Sequence, residues 1–376
     1  MDRISLSRPS ITDEEVAAAA DTLRSRWLVY GPQNRAFEEE LAQACGRRHA
    51  ITVSSGTAAL HLSLLALYGP AGPPEGARLL APAFTFPASV NVARFIPGPQ
   101  PIAVHLADVD AQTFCLPPQT VQAWLSRGPA LTMVVHQFGY PSPLPQALTP
   151  EAERLIIADA ACAIGARAAL RGRCACLSFH PRKLLTTGEG GAIVTDDDSL
   201  AAELRRLRAH GLTVVPGQEV QALAAAGLNY RLPEVAAAVG RVQLRRLPAL
   251  LALHRERAER YRERLLPAGL ALQADTPGRV WQTLAVVLPA GVNRPELRRE
   301  LSASGIETQI ASYGLHQLAA FRDAPVFAAS GDAALTVTER LHHQGLALPL
   351  HSELTLADVD RVCDTLLALL EQHALA

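Results

Sequence analysis

Lys183 is the only lysine in the chain; every other member of its 35 lysine and arginine residues is an arginine. Either residue can carry a surface charge, but a guanidinium stays protonated and offers no usable amine. The one lysine is therefore a candidate for covalent chemistry. Its neighbours sharpen the reading. An apolar run ends at Ser178-Phe179, His180-Pro181-Arg182-Lys183 follows as a turn, and Thr186-Thr187-Gly188-Glu189-Gly190-Gly191 leads into the next run. The glycines let backbone approach a ligand closely. An amine presented at a strand end, inside a sheet's crevice, can be desolvated and lose its proton.

Other positions offer complementary chemistry. Asp159 closes the run Leu155-Ile156-Ile157-Ala158. A carboxylate there can pair with a protonated ring nitrogen, or cap a helix opening at Ala160-Ala161. Gly56-Thr57 follow His49–Val53 directly and open an Ala/Leu-rich helix. Backbone N–H groups and the helix dipole at such a junction hold phosphate, although Ser and Thr are also ordinary caps. Ser178 adds a hydroxyl. Phe86, in Pro82-Ala83-Phe84-Thr85-Phe86, is a stacking residue or simply core. A reactive amine, a carboxylate for a ring nitrogen and a phosphate cradle together predict pyridoxal 5'-phosphate (PLP), which supplies an electron sink while the protein supplies binding and orientation.

The elements that must position these groups are legible in outline. Short apolar runs alternate with helical segments at 49–53, 78–81, 101–106, 131–136, 154–159, 174–179 and 192–195. Continuous runs separated by helices predict a parallel sheet covered on both faces, with its ligand at the carboxyl ends of the strands. Helices are expected over 12–25, with Thr12 as N-cap, and over 34–45. A helix over 233–247 is followed by a charged one over 248–266, and we place the boundary there: a large domain over 1–247, a small one over 248–376. Cys174 and Cys176 read as two thiols on one face of a strand, with no second pair at zinc spacing.

Composition bounds the function. The formal net charge of -1 gives no electrostatic reason to expect nucleic acid or an anionic membrane as partner. No run of eighteen apolar residues occurs, the first residues lack the pattern of a signal peptide, and six scattered cysteines form no disulfide framework. The expectation is reduced thiols in a cytoplasm.

With these segments in view, the chain resembles the DegT/StrS family of PLP-dependent sugar aminotransferases, from about Arg8 to Leu369. The resemblance rests on Arg26–Pro32, Ser54–Leu60, Pro82–Ser89, Val135–Gly139, Ala158–Ala166, Ser178–Gly191, Arg208–Gly211, Gly227–Leu232, Gly305–His316 and Leu348–His351. It implies an α/β architecture of PLP fold type I: a large domain around a mostly parallel seven-stranded sheet, and a smaller C-terminal α+β domain. It implies that Lys183 carries the cofactor as a Schiff base and then moves the proton, that Asp159 pairs with the pyridine nitrogen and that Phe86 stacks on the ring. Gly56, Thr57 and Ser178 would hold the phosphate. Asn229 would reach the phosphate of the neighbouring subunit, making a homodimer the working unit. Tyr313 and His316 would line the sugar site.

Three departures from the family pattern fall in this region. Cys162 stands where Gln or His is usual near the ring hydroxyl, and is a poorer hydrogen-bonding group. Ser312-Tyr313-Gly314-Leu315-His316 replaces Tyr-x-Pro-Leu-His, and a histidine common in the small-domain strand is replaced near Gln282. The expected activity is transfer of an amino group from glutamate or glutamine to a keto-sugar, in particular a nucleotide-linked keto-deoxysugar, as in amino-sugar synthesis. Two alternatives stand beside it: a sugar dehydratase on the same fold, whose relatives replace the Schiff-base lysine with histidine, and a non-catalytic PLP or sugar-nucleotide binding protein.

Overall fold

The computed structural model describes residues 3–213, 222–223, 226–330 and 333–375. Seven strands build the main sheet: β1 (His49–Val53), β2 (Arg78–Pro82), β3 (Ala103–Ala107), β4 (Leu131–Val135), β5 (Ile156–Asp159), β6 (Cys174–Ser178) and β7 (Gly191–Thr195). Their order across the sheet is β1-β7-β6-β5-β4-β2-β3. Strands β3, β2, β4, β5 and β6 run parallel, and β7 is antiparallel to both β6 and β1. The expected mostly parallel seven-stranded sheet is thus present.

Both faces are covered, which is why the strands read as largely apolar runs rather than as an alternation. One face packs Ile51, Leu79, Met133, Ile157 and Cys176 against the helices Gly56–Tyr68 and Asp198–Leu207. The other packs Ala158, Leu177 and Val194 against Phe37, Leu41 and Ala237. Cys174 and Cys176 share the first face as predicted, with the Cys176 sulfur 3.3 Å from Ser63 Oγ.

A second sheet of four short antiparallel strands lies in the C-terminal part: β8 (Ala271–Leu272), β9 (Leu284–Val287), β10 (Gln309–Ile310) and β11 (Gly345–Leu348), in the order β8-β9-β11-β10. Its core is shared with the closing helix Leu356–Leu375 through Val359, Val362 and Leu366.

The boundary expected between 247 and 248 falls inside a single helix, Glu234–Leu265, with Pro248 in its interior. Proline removes one helical hydrogen bond at a cost of about 3 kcal/mol, which is why the sequence reads as two helices. Packing at both ends offsets that loss. Ala237 and Leu247 sit in the core of the large sheet, while Ala258, Tyr261 and Leu265 sit in that of the small one.

Candidate active site

A cavity of about 710 Å³ opens where the carboxyl ends of β5 and β6 meet the start of the helix Gly56–Tyr68 and the edge of the small sheet. Its floor holds Gly56, Thr57, Asp159, Cys162, Ser178 and Lys183. Six of the sequence-predicted residues are therefore brought together, and Phe86 and Tyr313 line the same space.

Asp159 is the last residue of β5, between two parallel neighbours, so its carboxylate emerges at the bottom of the crevice. It is buried, and takes hydrogen bonds from Ser89 Oγ (2.7 Å) and the Ala161 N–H (3.1 Å). Burial raises its pKa; the two donors and the charge of Lys183 push it back down. The helix-cap reading fails, because the segment after Asp159 turns without forming a helix until the short 3-10 turn Arg167–Leu170.

Lys183 leaves β6 on the predicted turn, closed by its own N–H donating to the His180 carbonyl at 2.8 Å. The return path is tied down where Thr187 N–H donates to the Phe179 carbonyl and Phe179 N–H to that of Gly190. The side chain is half-buried, and Nζ lies 3.1 Å from Cys162 Sγ. Of the six cysteines, Cys162 alone is not buried.

The phosphate cradle is built by close approach. Ser55 caps the helix by accepting from the Ala58 N–H at 3.0 Å, leaving the N–H groups of Gly56 and Thr57 without intrahelical partners. A Cβ on Gly56 would lie 2.8 Å from Ser178 Cβ, and one on Gly191 only 2.7 Å from Gly56 N. The glycines therefore let Ser178 and the helix start converge on one point. Backbone donors, a hydroxyl, an amine and a buried carboxylate in one cavity fit PLP in kind and arrangement.

Phe86 is 55 % exposed and stands edge-on to Tyr313, with ring centroids 6.0 Å apart, so it is not core. The pairing of Phe84–Thr85 with Tyr313–Gly314 sets the two rings side by side. His316 lies outside the lining of this cavity. The 3-10 turn Leu315–Gln317 carries it away, toward Gln317 (3.0 Å) and Glu339 (3.5 Å). Asn229 is exposed and outside the cavity, anchored through Tyr230, whose carbonyl accepts from the Ser54 N–H at 2.8 Å.

Ser89 was not among the sequence candidates. Its segment, Pro82–Ser89, is distinctive, but its bond to a carboxylate 70 residues away exists only in the fold. Thr85 Oγ1, 3.1 Å from Ser89 Oγ, extends the network. On the small-sheet side the cavity wall is Gln282, Thr283, Gln309, Ser312 and Tyr313 with apolar residues between them, and among the described residues it carries no charged side chain; His180, Arg182 and Glu189 line the cavity beside Lys183.

The model of the DegT/DnrJ/EryC1/StrS aminotransferase family matches residues 9–367. Among solved structures, Spr1654 from Streptococcus pneumoniae in its PMP form, assigned as a sugar aminotransferase, superposes with a TM-score of 0.85 at 22% identity, covering 98% of this chain and 100% of that one. The same protein is also known in a PLP form. The aminotransferase TlmJ from Streptoalloteichus hindustanus gives a TM-score of 0.81 at 28% identity, over 98% and 99% of the two chains. PseC from Helicobacter pylori, an aminotransferase involved in the biosynthesis of pseudoaminic acid, gives 0.81 at 20% identity over 99% and 100%. With a match over nearly its whole length and a cavity suited to the cofactor, the chain belongs to the DegT/DnrJ/EryC1/StrS aminotransferase family and is a PLP-dependent enzyme.

Proposed function

We propose that this aminotransferase moves an amino group from glutamate or glutamine to a keto-sugar, in particular a nucleotide-linked keto-deoxysugar. The observation that carries the reading is the division of the cavity. The charged side chains, Asp159, Lys183, Arg182 and Glu189, lie on the large-domain side, whereas the wall of Gln282, Thr283, Gln309, Ser312 and Tyr313 offers amides and hydroxyls. Such a wall suits a ring of hydroxyls, because each buried polar group of the ligand needs a partner. The assignment of Spr1654 and the pathway of PseC agree with a sugar as acceptor.

In this reading PLP, when bound, supplies an electron sink for the carbon that gains or loses the amine. Lys183 Nζ holds the cofactor and moves the proton between the two carbons. Asp159, oriented by the Ser89 hydroxyl and the Ala161 N–H that donate to it, faces the ring nitrogen. Ser178, Gly56 and Thr57 bind the phosphate, and Phe86 stacks on the ring. Asn229 completes the phosphate site of a second subunit in a homodimer. The small sheet forms a domain of its own, joined to the large one through the helix Glu234–Leu265.

The test is a two-step reaction. Holoenzyme given glutamate alone should release one equivalent of 2-oxoglutarate, and a 4-keto-deoxysugar nucleotide added next should leave with an amine. Elimination of water from the sugar would make the protein a dehydratase, and failure of both glutamate and glutamine to give up an amine would refute the proposed donor. Asn229→Ala should retain PLP poorly and recover in mixed dimers with Lys183→Ala; lack of recovery would refute the shared site.

A further inference from the structure

We propose that Gln282 is a positioning residue for Lys183: it is the strut through which the small sheet holds the turn that carries the amine. The proposal rests on the role given to Lys183 above. Within His180-Pro181-Arg182-Lys183, the Lys183 N–H donates to the His180 carbonyl at 2.8 Å and the Arg182 N–H to His180 Nδ1 at 3.1 Å. Both of these bonds begin and end inside the turn. The Arg182 carbonyl faces outward and accepts from Gln282 Nε2 at 2.7 Å, across 100 residues of sequence.

Gln282 is itself well fixed. It is buried and stands just before β9. Its backbone N–H donates to the Phe138 carbonyl at 3.4 Å, and that of Val280 to the Gly139 carbonyl at 3.2 Å, so the segment is stitched to the loop after β4. The Thr283 hydroxyl donates to Gln282 Oε1 at 2.9 Å. A carbonyl can only accept, so these two partners together fix which end of the amide faces Arg182. Gln282 and Thr283 both line the cavity, and one side chain thereby joins the substrate-facing wall to the turn.

The physical need is clear. A lysine amine rides on a flexible four-carbon stem, so its aim depends on how firmly its backbone is held. Group transfer requires reacting atoms to be placed within a fraction of an ångström. A brace on the carbonyl immediately before Lys183 restricts the base of that stem.

The experiment mixes cofactor-free protein with PLP and follows attachment to Lys183 by stopped-flow absorbance and by mass spectrometry of borohydride-reduced peptides. Gln282→Glu keeps the shape and removes the donor; Gln282→Leu removes both polar ends. Melting temperatures identify any variant that fails to fold, in which case the other decides. The expected result is attachment slowed roughly five- to tenfold, the effect of one lost hydrogen bond. A displaced pH midpoint of the bound cofactor's absorbance and a kcat that falls more than KM changes should accompany it. Wild-type attachment rates and midpoint, with only the acceptor's KM raised, would overturn the proposal and make Gln282 a substrate contact. Failure of the wild-type protein to yield a reduced adduct at Lys183 would instead sink the reading of Lys183.

Discussion

The two sides of the cavity are built by different physics. On the floor, chemistry is delivered by strand ends: Asp159 closes β5, Ser178 closes β6, and Gly56 opens the helix that follows β1. The parallel pairing of β5 and β6 fixes two of these groups with little dependence on the rest of the chain. The wall is assembled from the edge of the small sheet and from Tyr313–Gly314, which pairs with Phe84–Thr85, and is held by contacts such as that of Gln282 with Arg182. The floor is therefore set by regular structure and the wall by individual side chains. Cofactor chemistry should tolerate little change, while acceptor preference should shift by single substitutions.

Four substitutions would break or sharpen this contrast. Lys183→Ala should abolish both half-reactions, lowering turnover more than about 10⁴-fold with the circular dichroism unchanged; normal turnover would remove the residue from the mechanism. Asp159→Asn should lower turnover by roughly 10²- to 10³-fold. It should also stabilise the cofactor-free protein at neutral pH. A carboxyl whose pKa is raised by burial gives its stabilisation below the ordinary value near 3.8 and loses it as pH rises through the raised one. The amide escapes that loss, so its advantage in melting temperature should shrink toward acid pH, and an advantage independent of pH would contradict the assignment.

Gly191→Ala tests the cradle. The new Cβ would lie 2.6 Å from the Ser55 carbonyl and must displace the helix start. PLP affinity should drop by about tenfold, corresponding to about 1–2 kcal/mol of overpacking, as read by equilibrium dialysis. The smallest effect is expected on the wall: Tyr313→Phe should raise the acceptor's KM about fivefold, with release of 2-oxoglutarate from glutamate untouched. Loss of the donor half-reaction in Tyr313→Phe would erase the distinction between the two sides.

The same contrast explains what could be read from the sequence. Lys183, Asp159, Gly56, Thr57 and Ser178 announce themselves because their strand ends and turns are local signals. Ser89 and the bracing contact of Gln282 did not, since each acquires its partner only when distant segments meet. His316 was named from the family resemblance, and the 3-10 turn Leu315–Gln317 that directs it exists only in the fold. The expected break between two helices at 248, where the structure has one continuous helix, arose for a related reason. Proline is a local breaker, whereas the burial of Leu247 and Leu250 on either side of it is a tertiary fact.

The solitary amine has a practical consequence. Reagents that couple through lysine, such as aldehyde cross-linkers or activated esters, meet a surface whose cations are guanidinium groups. The one side chain they can capture sits half-buried in the cavity floor. Labelling the cofactor-free enzyme at lysine would therefore silence it molecule by molecule, and the share of Lys183 found modified would count the catalytic centres.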